Sequence, residues 1–123
     1  MAGKSLRKAL GQKVYAKTDG VCWYCGKAIQ DHPDEWHIEH VQPQRSGGSD
    51  EIWNLVPACA RCNTSKGGRD IEEWRAGLRI QSADWPVYFS PKQIEFLEAD
   101  LLVKLPLPES PSFWFETQRE APA

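Results

Sequence analysis

Apolar residues recur at helical spacing from Ser5 to Lys17, with Leu6, Leu10 and Val14 in one stripe and Ala9 in looser register. The "TDG" of Thr18–Gly20 is a stop signal, so an amphipathic helix is predicted over residues 5–17. Trp36–Val41 is short and strand-like and ends ahead of Pro43, which cannot donate to a ladder; it reads as a strand whose partner lies beyond the "QRSGGSD" loop or within it. Beyond the "QRSGGSD" loop, Ser49 or Asp50 can cap a helix that begins near Glu51, carries Ile52, Trp53 and Leu55, and is cut short by Pro57. Asp70 with Glu73 sets a capping-box-like start for a helix bearing Ile71, Trp74 and Leu78. Ser90, Pro91 and Gln93 start another, with Ile94, Leu97 and Leu101 on one face and an end near Lys104. The proline-rich "PLPESPSFWFETQREAPA" is predicted to be extended, with Phe113–Phe115 as its adhesive element, for docking or for anchoring a partner. Trp23, Trp53 and Trp74 fall where a small core needs bulk.

A chain of 123 residues, 41% apolar and 26% charged, matches an ordinary soluble domain and excludes a disordered or membrane class. One domain is expected over residues 1–105, followed by a tail over 106–123. The first residues intersperse lysine and arginine among their apolar positions, unlike a secretory leader, and no run nears the ~20 apolar residues of a membrane span. The expected compartment is the cytoplasm. The net charge of −2 conceals a gradient: residues 1–30 carry six Lys and Arg against Asp19 alone, whereas residues 81–123 carry three basic and seven acidic side chains. A basic face for an anionic partner is compatible with this pattern, as is a solvated helix face.

Cytosolic cysteines stay reduced, so Cys22, Cys25, Cys59 and Cys62 need a reason other than disulfides. Each Cys-x-x-Cys turn presents two sulfurs to one ion, and Gly26 permits the left-handed turn after Cys25; four thiolates close a structural zinc site. Thiol redox chemistry and buried unligated thiols are the competing readings. The spacer from Cys25 to Cys59 exceeds the roughly 15–20 residues of a zinc ribbon, so something is inserted between the knuckles.

The insertion and its flank hold Glu39, His40, Asn54 and Asn63. Hydrolysis of a phosphodiester needs a base for water and a cation to neutralise charge on phosphate and leaving oxygen. Neutral imidazole suits the first task; a carboxylate and an amide carbonyl suit a hard ion such as Mg²⁺. The ordered series "CWYCG", "IEHVQPQRSGG" and "NLVPACARCNTSKGG", from about Val21 to Arg69, resembles the His-Asn-His (HNH) endonucleases in their zinc-bearing form. That resemblance implies an α+β fold with a ββα-metal core and a structural Zn²⁺. It casts His40 as general base and Glu39 and Asn63 as ligands of a catalytic Mg²⁺ or Mn²⁺. Asn54 would fasten the intervening loop and so orient the base. Glu39 stands where the family often has Asp or His, and Asn63 where its last letter is His.

Strict strand alternation sends Glu39 and His40 to opposite faces, so a twist or bulge is expected to bring them together. His37 shares a face with Glu39 and is read as structural, with metal assistance as the alternative, and His32 as loop. Gly47 and Gly48 make a turn that also suits close approach of a phosphate. Arg45, Lys66 and Arg69 are the candidate phosphate contacts. The leading expectation is a metal-dependent endonuclease acting on DNA, duplex DNA foremost, with a larger protein partner as a source of target choice. The competing one is a non-catalytic zinc module binding nucleic acid or protein, which leaves the Glu39–His40–Asn54–Asn63 coincidence without explanation.

Overall fold

The structure is a computed structural model and describes residues 2–29 and 36–119. The loop read around His32 lies outside the described residues. The chain packs as two compact units, Met1–Asp70 with Ser112–Ala123, and Ile71–Pro111. Among the described residues no helix is long and apolar enough to cross a membrane.

The first unit is built on a helix, α1 (Ala2–Ala16), and an antiparallel pair, β1 (Trp36–His40) and β2 (Leu55–Cys59). A short helix, α2 (Ala60–Lys66), leaves β2 directly. Two strands followed by a helix therefore form the ββα arrangement expected from the motif. Val14 of α1, Cys22, Tyr24, Ile29, Leu55, Val56 and Ala58 are buried and make up its core with Phe113. Tyr15 meets Trp36 with ring centroids 5.8 Å apart, and Lys17 Nζ donates to the carbonyls of Ile52 and Leu55 at 2.5 and 2.6 Å, fastening the end of α1 to the start of β2.

The helix predicted from Glu51 is not formed. Ile52–Asn54 is a single 3-10 turn, and Leu55–Cys59, buried at every position, is a strand. Pro57 does not disrupt it because of the register. Val41 N–H donates to Asn54 O at 2.9 Å, and alternation then places Ile38 and Pro57 at a non-hydrogen-bonded pair, where no N–H is needed. The Pro57 carbonyl instead accepts from Trp23 N–H at 2.8 Å, tying the first cysteine knuckle to β2. The same turn puts Trp53 at the surface, 68% exposed, against the expectation of a core residue, while Trp74 is buried as expected.

The second unit holds α3 (Ile71–Ser82) and α4 (Pro91–Glu95). Ser90 and Gln93 form the capping box that the sequence predicts for α4, but the helix does not run to Lys104: Phe96–Asp100 widens into a π-turn, and Leu102 takes a left-handed φ of 55°. The proline-rich stretch is held rather than loose, since Arg79 Nε donates to Pro108 O at 2.5 Å and Arg75 Nη1 to Pro111 O at 2.6 Å. Its continuation is not extended either. Trp114–Arg119 forms α5, which belongs to the first unit and begins on the buried Phe113.

Candidate functional site

The two cysteine knuckles meet. Gly26, at φ 76°, closes the first turn, with its N–H on Cys22 O at 2.9 Å and Cys22 N–H on Lys27 O at 2.8 Å. The second knuckle straddles the start of α2, where Cys59 is the N-cap and its sulfur accepts from Cys62 N–H at 3.4 Å. All four Sγ atoms lie within 4.8 Å of one another. A hydrogen bond from Cys62 drops the Cys22 thiol to about 4, and the same contact, with burial, drives Cys62 far up. Four sulfurs this close oppose each other's ionisation, which is the electrostatic demand that a divalent ion among them would answer.

Asn54 is buried and uses its amide in full on the loop before it. Nδ2 donates to Gln42 O at 3.0 Å and Ser49 O at 2.8 Å, while Oδ1 accepts from Gln42 N–H at 2.9 Å. Gly48 allows the same closure, because a Cβ there would drive into the Gln42 backbone carbonyl. The closed loop presents Asp50 to the end of β1, where its Oδ1 accepts from His40 Nε2 at 2.8 Å and from Gln44 Nε2 at 2.9 Å. His40, then Gln44, holds the Asp50 carboxyl below the usual carboxylate range. An ionised carboxylate only accepts, so Nε2 is the nitrogen that donates in this contact.

Glu39 points the other way from the same strand, into the protein. Lys66 Nζ lies 3.1 Å from its Oε1 and also 3.1 Å from the His40 carbonyl, and the Tyr24 hydroxyl donates to its Oε2. Burial, then the Glu39 charge, pushes the Tyr24 phenol far up, so it remains a donor. Glu39, His40 and Asn63 nonetheless border one cavity of ≈ 170 Å³, with Ile38, Pro43, Gln44 and Gly67 completing its wall. No bulge is needed, since β1 keeps regular register through His40 and the cavity lies at the strand's end. The donor set suits a hard cation. A carboxylate has about four lone-pair directions, of which Lys66 and Tyr24 occupy one on each oxygen, leaving capacity beside the Asn63 amide.

Lys66 differs from the sequence expectation of a phosphate contact: its side chain is fully buried against Glu39 and reaches no solvent. Asn63 and Lys66, three residues apart on α2, share a helix face, and this face places Lys66 beside β1. Arg45 is exposed, with Nε on Gly68 O, and Arg69 donates to Ser65 O at 2.6 Å and Lys66 O at 3.3 Å, so both gather at the end of α2. His37 is exposed and does not border the cavity. Tyr24 and Asp50 are the site residues that sequence reasoning missed; Tyr24 lies between two cysteines and Asp50 was legible only as a helix cap.

The sequence model of the HNH endonuclease family matches residues 22–69. YoqL of the SPbeta prophage in Bacillus subtilis (strain 168), assigned by its name to the HNH endonucleases, is 39% identical over 72 residues, covering 51% of this chain and 30% of that protein. The CRISPR-associated endonuclease Cas9 of Actinomyces naeslundii is 39% identical over 54 residues, 43% of this chain and 5% of that protein. The crystal structure of the Type II-C Cas9 enzyme from Actinomyces naeslundii superposes with a TM-score of 0.47 at 27% identity, over 68% of this chain and 8% of that one. The chain thus spans less than a third of the length of either relative. Residues 22–69 thus carry an HNH endonuclease domain, and its four clustered cysteines fit the zinc-bearing subtype.

Proposed function

We propose that this chain is a metal-dependent endonuclease that hydrolyses DNA phosphodiesters, duplex DNA foremost. The observation that carries the reading is the meeting of Glu39, His40 and Asn63 on one cavity while Asp50 fixes the imidazole. His40 is the general base: with Nε2–H committed to Asp50, Nδ1 takes the proton from the attacking water. Asp50 offsets the charge that the ring gains. Asn54 holds the loop that carries Asp50 and so orients the base without touching substrate. Glu39 and Asn63 would hold the catalytic Mg²⁺ or Mn²⁺, and such an ion supplies positive charge for the phosphate and the departing 3′ oxygen. Cys22, Cys25, Cys59 and Cys62 would hold a structural Zn²⁺. Arg45, exposed in the Gln44–Ser46 turn, and the half-buried Arg69, just past the end of α2, would contact phosphates flanking the cleaved bond, which locates the strand without choosing bases. Target choice belongs to another part of a larger protein or to a partner, and a cytoplasmic setting fits the reduced thiols.

The test is incubation with supercoiled plasmid in Mg²⁺ or Mn²⁺, with a chelator arm and His40→Ala. Wild type should nick or linearise the plasmid only with the metal, and His40→Ala should abolish cleavage while keeping zinc content and circular dichroism. Undiminished cleavage by His40→Ala removes the base from the scheme.

A further inference from the structure

The Phe113–Phe115 segment, far from the motif along the chain, lies on the first cysteine knuckle, and its contacts there are built rather than incidental. Trp114 N–H donates to Tyr24 O at 2.8 Å and Phe115 N–H to Trp23 O at 3.1 Å, so the tail satisfies two carbonyls inside the Cys22–Cys25 turn. Phe115 stacks on Trp23 with centroids 5.4 Å apart and planes 8° off parallel, and Phe113 meets Tyr24 edge-on at 5.8 Å. Gly26 has no room for a side chain, since a Cβ there would stand 2.5 Å from Trp114 Cδ1. The ring so gripped is the one whose hydroxyl reaches Glu39.

We propose that the Phe113–Phe115 segment is a positioning clasp, which fixes Tyr24 so that its hydroxyl, opposite the Lys66 ammonium, sets the Glu39 carboxylate for the catalytic cation. The proposal rests on the reading of Glu39 as a cation ligand. Tyr24 is a positioning residue: it touches the ligand and not the substrate. A carboxylate held by one donor on each oxygen has its rotation about the side-chain bonds frozen before an ion arrives, which lowers the ordering cost of binding.

The experiment measures Mn²⁺ affinity of the zinc-loaded full chain by electron paramagnetic resonance, with zinc content and thermal melting recorded beside it. Wild type should bind a Mn²⁺ that Glu39→Gln releases; if it does not, the cation reading of Glu39 fails and this inference with it. Given that Mn²⁺, Tyr24→Phe, which keeps the ring and deletes the hydroxyl, should weaken it roughly tenfold or more at unchanged zinc content. Phe115→Ala should weaken it as well, yet add little in the Tyr24→Phe background, because both act through one hydroxyl. Phe115→Leu, which retains apolar bulk without the stack, reads the same coupling if the alanine variant does not fold. Unchanged Mn²⁺ affinity in Tyr24→Phe, a clasp variant that lowers only the melting temperature, or effects that multiply across the two positions would overturn the clasp while leaving Glu39 as a ligand.

Discussion

Replacing Lys66 by methionine keeps the length of the side chain and removes its charge and donors. In the folded protein this ammonium is fully buried, 3.1 Å from both Glu39 Oε1 and the His40 carbonyl. Deleting one partner of a buried ion pair leaves the other uncompensated, which costs about 3–5 kcal/mol. Glu39 retains the Tyr24 donor and borders the cavity, so the lower end applies, about 3 kcal/mol. At this chain length about 4 °C accompanies each kcal/mol, so the melting temperature should fall by about 12 °C. Urea unfolding followed by tryptophan fluorescence, with zinc saturating throughout, measures the loss. Adding Glu39→Gln removes the stranded charge and should return the protein to within about 1 kcal/mol of wild type. A single mutant that loses less than about 1 kcal/mol, or a double mutant no more stable than Lys66→Met, refutes the reasoning.

Gly48→Ala should destabilise by roughly 2–3 kcal/mol in the same assay, since the added methyl meets the Gln42 backbone carbonyl, which cannot rotate aside. Asn54→Ala should cost about 10² in kcat on plasmid with zinc content intact, because the three bonds that close the Gln42–Ser49 loop are lost and the base is no longer held. Asp50→Ala should lower kcat about tenfold with little change in KM, as the imidazole loses its anchor but not its substrate. Stripping the four cysteines of metal with a strong chelator should abolish cooperative unfolding of the first unit, and stoichiometric Zn²⁺ should restore it.

The elements legible in the sequence are those with local signals: the Leu6–Leu10–Val14 stripe for α1, the run into Pro43 for β1, the Ser90–Gln93 box for α4. A partner strand past the loop was legible but its residues were not, because Leu55–Cys59 is a short, wholly buried run containing proline, and periodicity cannot separate such a strand from a helix turn. What decides it is pairing with β1, which puts Pro57 where no donor is missed. The π-turn at Phe96–Asp100 and helix α5 carry no comparable local mark, and α5 starts where Phe113 is buried. In the site, Glu39, His40, Asn54 and Asn63 were singled out by the chemistry of their residue types together with the resemblance of the ordered series to the HNH endonucleases. The groups that hold them were hidden by sequence distance: Tyr24 and Lys66 act on Glu39 from 15 and 27 residues away, and Asp50 on His40 from 10.

The first unit is discontinuous, with Ile71–Pro111 intervening before the segment that seals the cysteine turn. During translation the whole HNH motif therefore emerges from the ribosome ahead of Phe113, Trp114 and Phe115, by a lag on the order of seconds at ordinary elongation rates. Through that interval the carbonyls of Trp23 and Tyr24 have only water to bind.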